Sequence, residues 1–427
     1  MSSTHLTDTT FSSLGLEQSI LDGLDEAGFK NCTPIQQQTL PISIKGKDVA
    51  GQAQTGTGKT IAFLLATYQA LLSKPACDNK TGVRALILAP TRELAIQIYN
   101  DALIIGKHTA IKIGLAYGGT DYEKQRKTLE DGVDILIGTP GRTIDFFKQK
   151  VFNLRTADVL VLDEADRMFD LGFINDIRFL LRRLPKPEDR LNLLFSATLS
   201  FKVTELAYEH MNSPEMIRIE PEQITAKKVI ESVYYPADNE KIPLLIKILN
   251  DENPTRGIIF INTKHNADRL NRYLEGNDFD NAVLSGDVPQ KKRQQILARF
   301  QEGKLPLLIA TDVAARGLHI PAVSHVFNFD LPQDAEDYVH RIGRTARSGA
   351  SGKAISFACE TYAYSLPDIE AYISHKIPFT QIDGDSLPKV KPATKKVYKP
   401  SANKHSSKPR PHKKPHHKKP QHKKTDA

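Results

Sequence analysis

Two short constellations in this chain carry residue types and spacing suited to phosphate chemistry. The first is Ala53-Gln54-Thr55-Gly56-Thr57-Gly58-Lys59-Thr60, set between an apolar stretch at 48–51 and an unbroken helical run at 61–72. A glycine-bearing turn that opens a helix presents backbone N–H groups and the helix N-terminus to an anion. Lys59 can then reach the outer phosphates of a nucleotide, and the Thr60 hydroxyl can ligate Mg2+. Ala53 stands where the general G-x-x-x-x-G-K-[ST] pattern has its first glycine, and alone the stretch also suits a plain turn before an amphipathic helix. The second constellation is Asp163-Glu164-Ala165-Asp166, delivered by the apolar run Val159-Leu160-Val161-Leu162. Open α/β sheets bind ligands at the C-terminal edge of their strands. There Asp163 can hold a magnesium ion through water while Glu164 polarises the water that attacks a γ-phosphate. Without Lys59 upstream, these acids would read as an ordinary acidic first turn of a helix.

Elements must position these groups, and the hydrophobic rhythm supplies them. Runs at 85–88, 135–137, 159–162 and 193–195 alternate with helical stretches, which predicts a parallel sheet with helices on both faces. The rhythm pauses through a charged segment at 220–228. It restarts with runs at 257–261, 282–284, 307–310, 325–327 and 354–357. The expected architecture is two tandem α/β domains, 1–218 and 231–380, joined by a linker at 219–230. Only the first carries a phosphate cradle, so the cleft between the two is the expected ligand site.

The chain has 427 residues, 40% of them hydrophobic, enough to bury two substantial cores. Its formal charge of +8 is unevenly spread: residues 388–427 hold thirteen lysines, Arg410 and a single acid, Asp426, leaving 44 basic against 49 acidic residues elsewhere. Lys/His/Pro repeats without apolar periodicity predict a disordered, extended tail over 381–427 that grips the phosphates of a polyanion. Metal binding by its histidines and a purely solubilising role are the competing readings. No stretch is long and apolar enough to span a bilayer, and the start of the chain is polar. Cys32, Cys77 and Cys359 have neither disulfide nor zinc spacing. Together these features predict a cytoplasmic protein.

Across about residues 8–380 the chain resembles the DEAD-box RNA helicases. The resemblance rests on Asp163-Glu164-Ala165-Asp166, Ser196-Ala197-Thr198, Pro90-Thr91-Arg92-Glu93-Leu94, Gly118-Gly119 and Thr139-Pro140-Gly141-Arg142. Further on it rests on Ile259-Phe260-Ile261-Asn262-Thr263, Gln290-Lys291-Lys292-Arg293, the run 310–317 and His340-Arg341-Ile342-Gly343-Arg344-Thr345-Ala346-Arg347. Finer features at 31–36, 166–173 and 317–321 are similar to the bacterial degradosome members of that family. The resemblance implies two RecA-like domains, ATP and Mg2+ as cofactors, and RNA-dependent ATP hydrolysis coupled to unwinding of short RNA duplexes. It also implies a degradosome endoribonuclease of the ribonuclease E type as partner of the second domain.

The resemblance further assigns roles to residues of this sequence. Within the segment 9–37, Gln36 would read adenine, its amide pairing with a donor and an acceptor at once, and Phe11 would stack on the base. Arg344 and Arg347 would approach the γ-phosphate as arginine fingers; the crowding of His340, Arg341, Arg344 and Arg347 without an evident counter-charge favours that assignment. Ser196 and Thr198 would link hydrolysis to strand separation by bonding the Asp163–Asp166 carboxylates. For RNA, Arg92, Gly118, Gly119, Thr139, Gly141 and Arg142 would line one half of a groove, and Asn262, Thr263, Arg293 and Thr311 the other, reading backbone shape rather than bases. A guanine-reading or kinase catalytic sequence is lacking, while an RNA clamp or scaffold that remodels RNA-protein complexes is the alternative function. One departure stands out: the family has an aspartate where this chain has His319, so closure around ATP is expected to be weak without a partner.

Overall fold

The computed structural model describes residues 6–54, 56–74, 81–119, 121–219, 229–315, 323–345, 352–382 and 386–394. Thr55, His319, Arg347 and the linker residues 220–228 lie outside them, as does the basic stretch 395–427. The strands of the first domain are β1 (Val49–Gln52), β2 (Ala85–Leu88), β3 (Ile113–Ala116), β4 (Ile135–Gly138), β5 (Val159–Asp163), β6 (Leu191–Ser196) and β7 (Glu215–Arg218). They form one parallel sheet in the order β3-β4-β2-β5-β6-β1-β7. The second domain contains β8 (Val229–Tyr234), β9 (Gly257–Phe260), β10 (Asn281–Leu284), β11 (Leu307–Ala310), β12 (His325–Asn328) and β13 (Gly352–Phe357), in the order β10-β11-β9-β12-β13-β8. β8 begins inside the stretch assigned to the linker, so the second domain starts at Val229.

Most central strands are apolar throughout because helices cover both faces of each sheet. Alternation along a strand then sends neighbouring residues into different cores. Ile87, Val161, Leu193 and Phe195 pack with Phe63 and the helix Lys59–Leu72 on one face. Leu86, Leu88, Leu160, Leu162 and Leu194 pack with Met168 and Ile177 on the other. The second sheet divides in the same way, Ile259, Ile309 and Phe327 against Ile258, Leu308 and Val326.

The stretch expected to be tail from residue 381 is partly built into the second domain. Ile382, Leu387 and Val390 pack on its core. Lys391 donates its backbone N–H to Asn277 Oδ1 at 3.0 Å, and Thr394 donates to the Arg272 carbonyl at 3.1 Å. A Cβ on Gly276 would lie 2.5 Å from the Pro392 carbonyl oxygen, so this helix-terminal glycine makes the docking possible. Three apolar side chains spaced too irregularly to read as an element account for this missed contact.

Candidate functional site

Strand register assembles the nucleotide site. β1 and β5 both pair with β6, with Gln52 opposite Ser196 and Asp163 opposite Phe195. The phosphate cradle, the Ser196-Ala197-Thr198 turn and the Asp163-Glu164 pair therefore emerge side by side at one sheet edge, and Ala53 N–H donates to the Ser196 carbonyl at 3.0 Å.

Within the cradle, Gly56 and Gly58 have φ of +89° and +92°, in the left-handed region that favours glycine. A Cβ on Gly58 would also sit 2.4 Å from Gln36 Nε2, so backbone conformation and close approach both require glycine there. Lys59 is buried and donates from Nζ to the Ala53 carbonyl at 2.6 Å, and Thr57 Oγ1 donates to the Gln54 carbonyl at 2.8 Å. Thr60 follows Lys59 in the first turn of the helix Lys59–Leu72. Gln36 accepts from Thr33 N–H at 2.8 Å, capping its own helix, and donates to the Gly58 carbonyl at 3.0 Å. One amide N–H and one oxygen lone pair remain for another partner. Phe11 is 3% exposed in the first core and its N–H bonds the Lys30 carbonyl, so it anchors the segment upstream of Gln36 instead of presenting a free ring face.

Asp163 is buried, which pushes its carboxyl up to about 7; the Lys59 charge opposes that rise and the Glu164 charge adds to it. Glu164 sits at φ +51°, its Oε2 is buried without a hydrogen bond, and the nearest cation is Arg167 at 3.8 Å. An ionisable carboxylate buried beside a lysine, next to a second carboxylate fixed on a strained backbone, suits a metal-and-water site. The Ser196-Ala197-Thr198 turn bonds one carboxylate of the four-residue motif: Ala197 N–H, Thr198 N–H and Thr198 Oγ1 all reach Asp166 Oδ2 at 3.1, 3.1 and 3.4 Å, while Ser196 Oγ accepts from Asp166 N–H at 3.1 Å.

Between the domains lies a cavity of about 960 Å3, with Glu164, Asp166 and Thr198 on one wall and Asp337, His340 and Arg344 on the other. The crowding argument for the arginines fails for Arg341. Fully buried, it bonds Asp312 with two nitrogens, at 2.7 and 2.6 Å, and also reaches Asn262 Oδ1 at 2.9 Å. His340 lies 3.9 Å from both Glu336 and Asp337. Sequence order hid the partners of Arg341 because Asp312 and Asn262 follow other strands, whereas Glu336 and Asp337 lie within one helical turn of His340.

The expected RNA residues also form rows. Arg92, Gly118-Gly119 and Thr139-Gly141-Arg142 follow β2, β3 and β4, adjacent strands on the half of the sheet away from the cradle. Exposed Arg92 lies against the glycine pair, where a Cβ on Gly119 would be 2.5 Å from its Nη1. Gly141 has open space around it, and Thr139 stands at the N-cap of the following helix, Pro140–Lys148. In the second domain, Asn262-Thr263, Arg293 and Thr311 follow β9, β10 and β11, again adjacent. Thr263 caps its helix through Asn266 N–H, Thr311 is buried, and Asn262 is committed to Arg341 and the Leu331 carbonyl. Arg293 does not lie free in a groove: it is 9% exposed, pairs with Glu93 of the first domain at 2.6 Å and donates to the Ala314 carbonyl at 2.6 Å. Gln290 also donates to Glu93, at 3.1 Å. Gln290 and Arg293 share a helix face three residues apart, a signal legible in the sequence, but their partner across the domains was not.

Residues 33–206 match the family model for DEAD/DEAH box helicases, and residues 240–349 match the helicase conserved C-terminal domain. The ATP-dependent RNA helicase RhlB of Vibrio cholerae serotype O1 is 57% identical over 91% of this chain and 89% of its own length. RhlB of Aliivibrio salmonicida is 54% identical over 97% of this chain and 100% of its own. Among solved structures, S. cerevisiae Dbp5 bound to RNA and ADP BeF3 superposes with a TM-score of 0.75 at 31% identity, over 87% of this chain and 95% of that one. Mss116p bound to ssRNA and AMP-PNP gives 0.76 at 31% identity, over 88% and 80%. With a helicase model matched in each domain and identity above half over nearly the whole chain, the protein belongs to the DEAD/DEAH box helicase family and is an ATP-dependent RNA helicase.

Proposed function

We propose that this protein hydrolyses ATP in response to RNA, separates short RNA duplexes, and delivers structured RNA in the cytoplasm to a degradosome endoribonuclease of the ribonuclease E type docked on its second domain. The observation that carries the reading is the division of both sheets. The strands that end at the cradle and at Asp163 form one half of the first sheet, the strands that end at the RNA residues form the other, and Glu93 and Arg293 join the RNA rows of the two domains. A ligand that draws the domains together at one half therefore reshapes the groove at the other.

In this reading Thr60 and Asp163 would hold Mg2+, which when bound would neutralise charge on the phosphates. Lys59 leaves the Ala53 carbonyl for the outer phosphates, and the cradle from Ala53 to Gly58, Gln54 and Thr55 included, supplies N–H groups. Gln36 uses its remaining N–H and lone pair on adenine. Glu164, through an Oε2 that accepts no hydrogen bond, takes the proton of the attacking water, and Arg344 with Arg347 offsets charge developing on the phosphoryl group. Ser196 and Thr198 transmit the state of the site through Asp166.

The test is phosphate release and strand separation on a short RNA duplex with the full chain. Glu164→Gln is expected to retain ATP and RNA binding while turnover falls by at least about 100-fold, and Lys59→Ala to weaken nucleotide binding as well. Near-normal turnover in Glu164→Gln would refute the role of Glu164, and ATP-independent strand separation by the wild type would refute the mechanism.

A further inference from the structure

We infer that Tyr122 is a positioning residue for RNA binding, holding the Arg142 guanidinium in place for the phosphate backbone. The helix Tyr122–Glu130 starts just after the glycine pair 118–119, and the helix Pro140–Lys148 carries Arg142 in its first turn. Where they meet, the Arg142 guanidinium carbon lies 4.7 Å from the centre of the Tyr122 ring and 5.3 Å from that of Phe146. The two rings pack at 4.9 Å with a 47° tilt. The Tyr122 hydroxyl accepts from Gln149, which also donates to Asp145 at 2.9 Å, so the ring is held at its far end too. Gln125, one turn along, joins this stack to the glycine loop: its Oε1 accepts from Tyr117 N–H at 3.0 Å and lies 3.5 Å from Arg142 Nη1.

An arginine on a protein surface loses rotamer freedom when it grips a phosphate. One already stacked on an aromatic face has lost most of it, so more of the contact energy appears as affinity. Asp145 is 4.0 Å from Arg142 and Gln125 Oε1 is 3.5 Å away, both long contacts that do not fix the guanidinium alone. The rings are thus the main restraint, and Tyr122 tunes RNA affinity without touching RNA or ATP. The inference rests on the proposed contact between Arg142 and RNA.

The experiment measures the RNA concentration for half-maximal ATPase, and the maximal rate, for full-length wild type, Tyr122→Leu, Tyr122→Phe, Arg142→Gln and the double substitution that combines Tyr122→Leu with Arg142→Gln. A stacked cation of this kind predicts that Tyr122→Leu raises the half-saturating RNA about three- to tenfold with maximal rate unchanged, and that Tyr122→Phe recovers most of the loss. In the Arg142→Gln background, Tyr122→Leu should add nothing further. A normal half-saturating concentration for Tyr122→Leu, or a full additional loss in the double substitution, would overturn the positioning role while leaving the groove intact. An unchanged value for Arg142→Gln would overturn the groove contact itself and the inference with it. A thermal midpoint lowered equally in Tyr122→Phe and Tyr122→Leu, with equal loss of RNA affinity, would show packing rather than cation stacking and also overturn it.

Discussion

Replacing Glu93 with alanine should loosen the two domains without unfolding either. Glu93 and Arg293 have side chains 13% and 11% exposed and meet at 2.6 Å, with Gln290 adding a bond to the same carboxylate oxygen. Removing one partner of a buried ion pair costs about 3–5 kcal/mol when the other charge stays buried. Here Arg293 recovers water as the domains part, so about 2 kcal/mol is the better figure, a shift of about 30-fold between joined and separated domains. Arg293 remains tethered to the Ala314 carbonyl, so its own domain keeps its fold. The assay is energy transfer between dyes on the two domains, in Glu93→Ala, Arg293→Met and the double substitution. The singles should each depopulate the joined state, and the double should do so by clearly less than their sum, because it leaves no buried charge unpaired. Strictly additive effects, or a joined population unchanged in Glu93→Ala, would refute the latch.

Removing the residues after Thr394 keeps the docked stretch 386–394 and should leave ATPase at saturating RNA intact while flattening the salt dependence of RNA binding by about 0.7 per lost phosphate contact; an unchanged slope counts against a phosphate grip. Burial pushes Asp101 up to about 6, above its unfolded value of about 4, so its contribution to stability is complete below about pH 4 and is lost as pH rises through 6. Asp101→Asn should therefore be more stable than wild type at pH 7 and equal to it near pH 4 in urea unfolding; a constant difference across that range would rule this out. His319→Asp should raise ATPase in the absence of the ribonuclease partner and shrink the stimulation the partner gives, and a wild type already fully active alone would contradict the idea.

What the sequence by itself determined is local chemistry and its order: a glycine turn with Lys59 and Thr60 ahead of a helix, two adjacent acids after an apolar strand, and alternating runs that predict parallel strands covered on both faces. These were legible because each depends on residues within a few positions of one another. Tertiary structure decided which of them share an edge and which polar groups find partners. Register set Ser196 and Thr198 on Asp166, placed Asp312 against Arg341, and turned Arg293 from an expected RNA contact into the partner of Glu93. It buried Phe11, which composition cannot distinguish from an exposed stacking ring, and docked residues 386–394 into a space left by the missing side chain of Gly276. Such pairings join residues tens to hundreds of positions apart, and whether a charge is buried or a ring is covered depends on what other strands bring beside it, so no local pattern encodes them.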